Sequence, residues 1–289
     1  MIGSSEPLCA LCRGPLVRRY TFGPRSVMYC RVCQLGQLAP MPTDEELAAL
    51  YGSQQYFEGT DRVGYTDYHA DAPQFVRTFR NKLQKLLSSG PVRDLLEVGC
   101  GPGYFLLEAR HAGIAGVVGV DRNPWAIDEV RRHGLEAHVG SLDVLAADRT
   151  FDAVVMLDVL EHITEPVPFL AEIRRRLRPG GRVFIMTPNI RSLLAQVSGQ
   201  RWVSFKIPEH VFYYSPHSIR LLLERCGFEL LSACGTGQYV TVAFFLDRLR
   251  RLVPRLTAGL DAAARPLHLR DKVVFVTNGS IDVVARRTA

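Results

Sequence analysis

The chain has 289 residues, 47% of them hydrophobic and 22% charged, enough to bury a sizeable core in one large α/β domain or two modest ones. No stretch approaches the ~18 uninterrupted apolar residues of a membrane span, and the composition excludes disordered and collagen-like classes. The net charge of +6 comes mostly from arginine, lysine occurring only at Lys82, Lys85, Lys206 and Lys272. It favours anionic partners, whether phosphates, diphosphates, nucleic acid or acidic lipid, without choosing among them.

The first twenty residues carry Cys9, Cys12 and Arg13 where an export signal would need an apolar stretch. A cytoplasmic protein is expected, and in that reducing compartment seven cysteines do not make a disulfide framework. Four of them form two pairs, Cys9 with Cys12 and Cys30 with Cys33, with seventeen residues between the pairs. Each knuckle points two thiolates at one point, and two knuckles complete a tetrahedral shell whose usual occupant is Zn²⁺. A full protein shell leaves no open coordination position, so the zinc is expected to be structural. Gly14 and Gly36 are expected to supply permissive backbone behind the knuckles. The isolated Cys100, Cys226 and Cys234 read as small buried hydrophobes.

The zinc ribbon is assigned to residues 1–40 and a linker and lid to 41–72. That linker opens on Pro40, Pro42 and the helix-start signal Thr43-Asp44-Glu45-Glu46, then runs through Tyr56, Phe57, Tyr65 and Tyr68. Phe75, Phe79, Leu83, Leu86 and Leu87 recur at helical spacing over 73–87. From Val92 onward short apolar runs alternate with amphipathic segments. Leu95 to Val98, Val117 to Val120, Val154 to Leu157 and Val183 to Met186 predict buried parallel strands; helices are predicted near 103–112, 124–132 and 165–177. Asn123-Pro124 and Ser215-Pro216 read as caps before a first-turn proline, and Gly134 and Gly227 as helix stops. The arginine run Arg174-Arg175-Arg176 reads as a solvated face. In the tail, Phe228 to Leu231 and Ile281 to Val284 predict strands around a helical segment at 242–260, where Pro254 favours a packed lid over a membrane helix. The alternation implies a doubly wound, mostly parallel sheet over 73–289, with an insertion at 236–272.

The run Glu97-Val98-Gly99-Cys100-Gly101-Pro102-Gly103 ends the first of these strands and opens a helix. Glycines at this spacing let backbone approach a ligand at the carboxyl end of a strand. Asp121 closes the second strand, where a carboxylate can accept hydrogen bonds from both hydroxyls of an adenosine ribose. The dinucleotide pattern is not met, because the third glycine comes one position early and Tyr104 stands in its place.

These residues resemble the class I, Rossmann-like S-adenosylmethionine-dependent methyltransferases. Glu97, Gly99, Gly101 and Gly103 match the acidic-x-Gly-x-Gly-x-Gly motif, Asp121 the ribose-binding acid, Phe151 to His162 the fourth motif, and Leu177-Arg178-Pro179-Gly180-Gly181 the turn before the fifth strand. The Leu160-Glu161-His162 ending and Thr187-Pro188-Asn189 look like ubiquinone-biosynthesis-type and natural-product or sugar methyltransferases. The resemblance implies a seven-stranded sheet and S-adenosylmethionine as cofactor. Gly99 and Gly101 would approach its methionine part, Asp121 would hold its ribose, Gly140-Ser141 would lie beside its adenine, and Leu157 and Asp158 would flank its sulfonium, with Glu97, Gly103 and Arg122 also counted among the cofactor-binding residues. Tyr65 and Tyr68 resemble the lid, whose aromatic faces suit a sulfonium cation.

The acceptor implied is a small molecule methylated on a hydroxyl oxygen, and the positive charge leaves room for a phosphorylated one. His162 is the expected base and His210 its reserve. Segments 190–216 and 236–272 are expected to shape the pocket, with Trp202, Phe205, His210, Phe212, Tyr213 and Tyr214 as aromatic walls. Asp158, Glu161 and His162 form an alternative Mg²⁺ set for a diphosphate or catechol. The rivals are carbon methylation of a prenyl diphosphate, an RNA methyltransferase gripping RNA with the ribbon, and a non-catalytic cofactor-binding adaptor. Against RNA, no Asn/Asp-Pro-Pro-Tyr-like motif follows the fourth strand.

Overall fold

The computed structural model describes residues 7–43, 45–47, 72–250, 257, 260, 261, 264 and 269–288, without the side chains of 72–75, 248 and 249. The expected Tyr56, Phe57, Tyr65 and Tyr68 and most of 251–268, Pro254 included, lie outside the described residues.

Four strands expected from apolar runs form the centre of a seven-stranded sheet: β4 (Asp94–Val98), β5 (Gly116–Asp121), β7 (Phe151–Leu157) and β8 (Leu177–Pro188). With β6 (Glu136–Val139), β10 (Phe228–Thr241) and β11 (Val273–Arg287) the order is β10-β11-β8-β7-β4-β5-β6. The five strands β4 to β8 run parallel, and β11 lies antiparallel between β8 and β10. Side chains alternate across the sheet, as the period of two requires. Leu96, Val98, Val118, Val154 and Met156 enter one core, whereas Leu95, Val117, Ala153 and Val155 enter the other. Burying each such side chain stabilises the fold by ~1.5–3 kcal/mol.

The second face is covered by α1 (Ala72–Leu87), α2 (Tyr104–His111) and α3 (Pro124–Arg132). The first is covered by α4 (Pro166–Arg176), α5 (Pro216–Arg225) and the cysteine ribbon. The caps form as predicted: the Asn123 side chain accepts the Ala126 amide at 3.2 Å, and Ser215 and Ser218 make a reciprocal capping box. Gly134 and Gly227 take left-handed φ of 70° and 76°. Because β5 and β7 flank β4 on opposite sides, the chain reverses direction there, which opens a crevice at the strands' carboxyl ends.

Several expectations are corrected by burial. Arg176 is not solvated: it is 5% exposed, bonds Glu172 at 2.7 Å, and donates to the carbonyls of Ala146, Leu142 and Leu145, because α4 packs over that loop. Cys100 and Cys226 are buried, but Cys234 is exposed. The last two strands extend well past their apolar centres, so the connection between them starts at 242 with α6 (Val242–Arg250) and not at 236. No helix among the described residues is long and apolar enough to cross a membrane.

The ribbon is β1 (Leu16–Phe22), β2 (Arg25–Cys30) and β3 (Gly36–Ala39), antiparallel, with a fourth strand that the sequence did not announce: β9 (Phe212–Tyr213) pairs with β3. Cys9, Cys30, Cys33 and Leu35 share one core with Phe212, Tyr214 and the sheet. The ribbon is therefore packed onto the larger unit.

Candidate functional site

A cavity of about 920 Å³ opens at the carboxyl ends of β4, β5, β7 and β8. At one end the chain leaves β4 through Gly99 and Gly101, with φ of 69° and 49°, a region that side chains with a Cβ rarely adopt. The amides of Gly99 and Cys100 are held by the Val120 carbonyl at 2.8 and 3.2 Å. Both glycines line the cavity. Gly103 does not: a Cβ there would meet Val130 Cγ2 at 2.8 Å, so its bareness serves the approach of α2 to α3 and not a ligand contact.

The same turn anchors Asp121. Its Oδ2 accepts the Gly101 amide at 2.9 Å and its Oδ1 the Asn123 amide at 2.8 Å. Burial raises its pKa and these two amides oppose the rise. Each oxygen keeps a second lone pair, so a fixed carboxylate is available to vicinal hydroxyls. Glu97 lies beside it, its carboxyl pushed well above the usual range by burial and then by the negative Asp121. Glu97 Oε2 is buried with no partner among the described residues. Arg122, Ser141, Leu157 and Asp158 also line this cavity. Asp158 takes φ of 55°, uncommon for a residue with a side chain, and its amide is tied to the Met186 carbonyl at 2.9 Å. Burial raises the Asp158 carboxyl, against Lys206 and Lys82. A bare glycine turn, a fixed carboxylate and an orphaned buried carboxyl suit a nucleoside that carries an amino group.

His162 and His210 face each other, edge to face with centroids 4.6 Å apart, and both line the same cavity. Burial, then the Lys206 ammonium, holds His162 down to about 3; burial, His162 and Lys206 hold His210 well below its ordinary value. Both rings are therefore neutral at physiological pH. Glu161 lies behind them, fully buried, its Oε2 accepting the Thr187 hydroxyl at 2.9 Å while Oε1 has no partner among the described residues. Ligand atoms of Glu161, His162 and His210 fall within 4.8 Å of one another. Asp158 is outside that group, so the expected Mg²⁺ set does not assemble, and a donor set rich in imidazole is not what Mg²⁺ takes.

The predicted aromatic walls are elsewhere. Of the six residues expected, His210 alone lines the cavity. Phe212 and Tyr214 belong to the core shared with the ribbon, and Trp202, Phe205 and Tyr213 pack with Val27 and Leu38 of β2 and β3. Two residues that the sequence reading passed over stand in the site: Lys206, and Lys82, whose Nζ is 2.8 Å from Asp282 Oδ1. The signals were present, since Lys82 stands on the apolar face of α1 three residues after Phe79, and Asp282 interrupts the apolar run of β11.

The four ribbon cysteines converge. Cys9 Sγ lies 3.4 Å from Cys33 Sγ and Cys12 Sγ 3.4 Å from Cys30 Sγ, all four within 4.8 Å of one another. A Zn–S bond of about 2.3 Å puts the sulfurs of a tetrahedral shell roughly 3.8 Å apart, so the set fits zinc. The Cys33 thiol draws Cys9 down to about 5, so the pair favours one thiolate even alone. The knuckles repeat one geometry: the Arg13 amide bonds the Cys9 carbonyl and the Gln34 amide the Cys30 carbonyl, each at 2.9 Å. Arg13 and Gln34, not Gly14 and Gly36, take the left-handed conformation, at φ 61° and 63°.

A family model described as a methyltransferase domain matches residues 68–233. The ubiquinone biosynthesis O-methyltransferase of Xanthomonas oryzae pv. oryzae is 32% identical over 130 residues, covering 42% of this chain and 54% of the relative. The mitochondrial ubiquinone biosynthesis O-methyltransferase of Schizosaccharomyces pombe is 32% identical over 133 residues, covering 43% and 46%. The chain thus spans about half the length of these curated relatives. The crystal structure of the (4+2)-cyclase SpnF is similar in fold, with a TM-score of 0.52 at 20% identity, over 86% of this chain and 98% of that one.

Proposed function

Because the chain belongs to the methyltransferase-domain family, we propose that it transfers a methyl group from S-adenosylmethionine to a hydroxyl oxygen of a small natural-product, sugar or quinone-type acceptor. The observation that carries this reading is a single cavity lined both by the Gly99–Gly101 turn and Asp121 and by the pair His162 and His210. The O-methyltransferase relatives support oxygen as the acceptor atom.

The cofactor supplies an electrophilic methyl group; the chain's own part is alignment, exclusion of water and the fate of one proton. Asp121 holds the ribose hydroxyls, Ser141 stands beside the adenine, and Glu97 and the bare turn receive the methionine part. Leu157 and Asp158 flank the sulfonium. His162 accepts the acceptor's proton on a ring nitrogen, with His210 in reserve. Burial and the nearby Lys206 keep the His162 ring neutral, so a ring nitrogen is available to take a proton from the acceptor hydroxyl. Tyr65 and Tyr68 remain the proposed lid. The ribbon cysteines hold structural zinc as thiolates, chemistry that suits the reducing cytoplasm.

A radiolabelled-cofactor assay against extracted small metabolites and against RNA tests the proposal. Label in a small hydroxylated metabolite, as a methyl ether, is expected. Label in RNA alone would transfer the reading to the RNA rival, and no label with intact cofactor binding would transfer it to the adaptor. With a product in hand, His162→Ala is expected to lower kcat ~100-fold or more. If His210→Ala alone does so, the base is His210, and if neither does, oxygen is the wrong acceptor atom.

A further inference from the structure

We propose that the cysteine ribbon is the back wall of the acceptor end of the cavity, holding the 203–210 loop and His210 in place from behind. The inference rests on the assignment of that end of the cavity to the acceptor.

The loop has two faces. On one, Val203, Ser204, Lys206 and His210 line the cavity. On the other, Phe205 packs against Tyr20 and Phe22 of β1 at ring centroids of 5.1 and 5.2 Å, and Trp202 stacks edge-on against Phe205 at 5.2 Å. Backbone bonds close the ends. Before the loop, Gln200 Nε2 donates to the Thr21 carbonyl at 2.6 Å. After it, the Leu38 amide of β3 donates to the Val211 carbonyl at 2.9 Å, and β3 continues the pairing with Phe212 and Tyr213.

Val211 also donates its own amide to the Glu161 carbonyl at 2.9 Å, one residue before His162. His210 is thus clamped between β3 and the segment that carries His162. Gly36 marks how closely the units approach, since a Cβ there would stand 2.8 Å from Ile190 Cδ1. The knuckle Cys30–Cys33 leads directly into β3, so the cysteine cluster sets where β3 lies.

The cofactor end is built otherwise. The Gly99–Gly101 turn, Asp121 and Ser141 are positioned by β4, β5 and β6 and by their own amide bonds. Local opening of the ribbon face is therefore expected to reach the acceptor loop and stop short of the cofactor cradle.

Hydrogen exchange on the full chain, read peptide by peptide, tests this with no acceptor needed. Phe22 is partly buried in the ribbon and touches no cofactor residue, so Phe22→Ala acts as a positioning variant. It is expected to speed exchange over 203–211 by ~10-fold or more, leaving peptides over 97–123 and the calorimetric affinity for S-adenosylhomocysteine within ~2-fold. Gln200→Ala, at an exposed residue whose loss leaves the core intact, is expected to act in the same direction by ~3-fold. Chelation of the metal is expected to loosen 203–211 before cofactor affinity falls. Unchanged exchange over 203–211, or a rise spread evenly over the chain with loss of cofactor affinity, would overturn the proposal. Neither readout uses methyl transfer, so failure here is separable from failure to find an acceptor.

Discussion

Asp121→Ala removes a carboxylate whose two oxygens accept the amides of Gly101 and Asn123 at 2.9 and 2.8 Å. Charge-assisted hydrogen bonds contribute ~1.5–3 kcal/mol net, so losing those to the ribose hydroxyls weakens cofactor binding roughly 10- to 150-fold. The turn is loosened as well, because the Gly101 amide loses its acceptor. Folding stability changes by less, ~1–2 kcal/mol, since burial already works against the Asp121 charge and its removal returns part of that cost. Asp121→Asn keeps one acceptor oxygen and turns an amide donor toward a backbone donor, which places it between alanine and wild type. Titration calorimetry with S-adenosylhomocysteine reads the affinity, and urea unfolding reads the stability. Because burial raises the Asp121 carboxyl, wild-type affinity is expected to fall on acidification from a pH above the ordinary aspartate range. An Asp121→Ala protein that folds and binds within ~2-fold of wild type would refute the role given to this carboxylate.

Purified protein is expected to contain about one zinc per chain, and Cys33→Ser to lose it together with thermal stability, as metal analysis and calorimetry would read. Glu161 is held well above its ordinary value of 4.5 by burial and then by Asp158, so the stability it confers is complete below that value and is lost as pH rises toward the folded one. Glu161→Gln, uncharged throughout and able to keep the Thr187 bond, is therefore expected to gain Tm relative to wild type between about pH 5 and about pH 8; a constant difference would count against the buried carboxyl. Arg176→Ala removes a buried guanidinium that bonds Glu172 and three carbonyls, although Glu172 keeps Arg175 and the Leu142 and Ala146 carbonyls keep backbone donors, and it is expected to cost ~1–3 kcal/mol in urea unfolding, against less than ~0.5 for the exposed Arg175→Ala. Equal effects would contradict the packing of α4.

Much of the fold and several local features of the candidate site were legible because their signals are local. The Asn123-Pro124 cap, the Gly99–Gly101 turn, Asp121 at a strand end and the two Cys-x-x-Cys knuckles each depend on a few consecutive residues, and each forms where the spacing put it. The alternation of β-branched runs with helical periods also determined the parallel sheet. What tertiary structure decided is which faces meet. Lys82 and Asp282, 200 residues apart, are brought together by the placement of β11 beside β8 under α1. Trp202, Phe205 and Tyr213 carry the same aromatic signal whether they face a ligand or a ribbon, and only the pairing of β9 with β3 turned them to the ribbon. Arg176 differs from its two neighbours only in the angle at which it leaves α4, and that angle meets the loop at 142–146. Sequence period assigns a side chain to a face of its own element; the partner opposite that face, and with it burial and charge state, comes from contacts far apart along the chain.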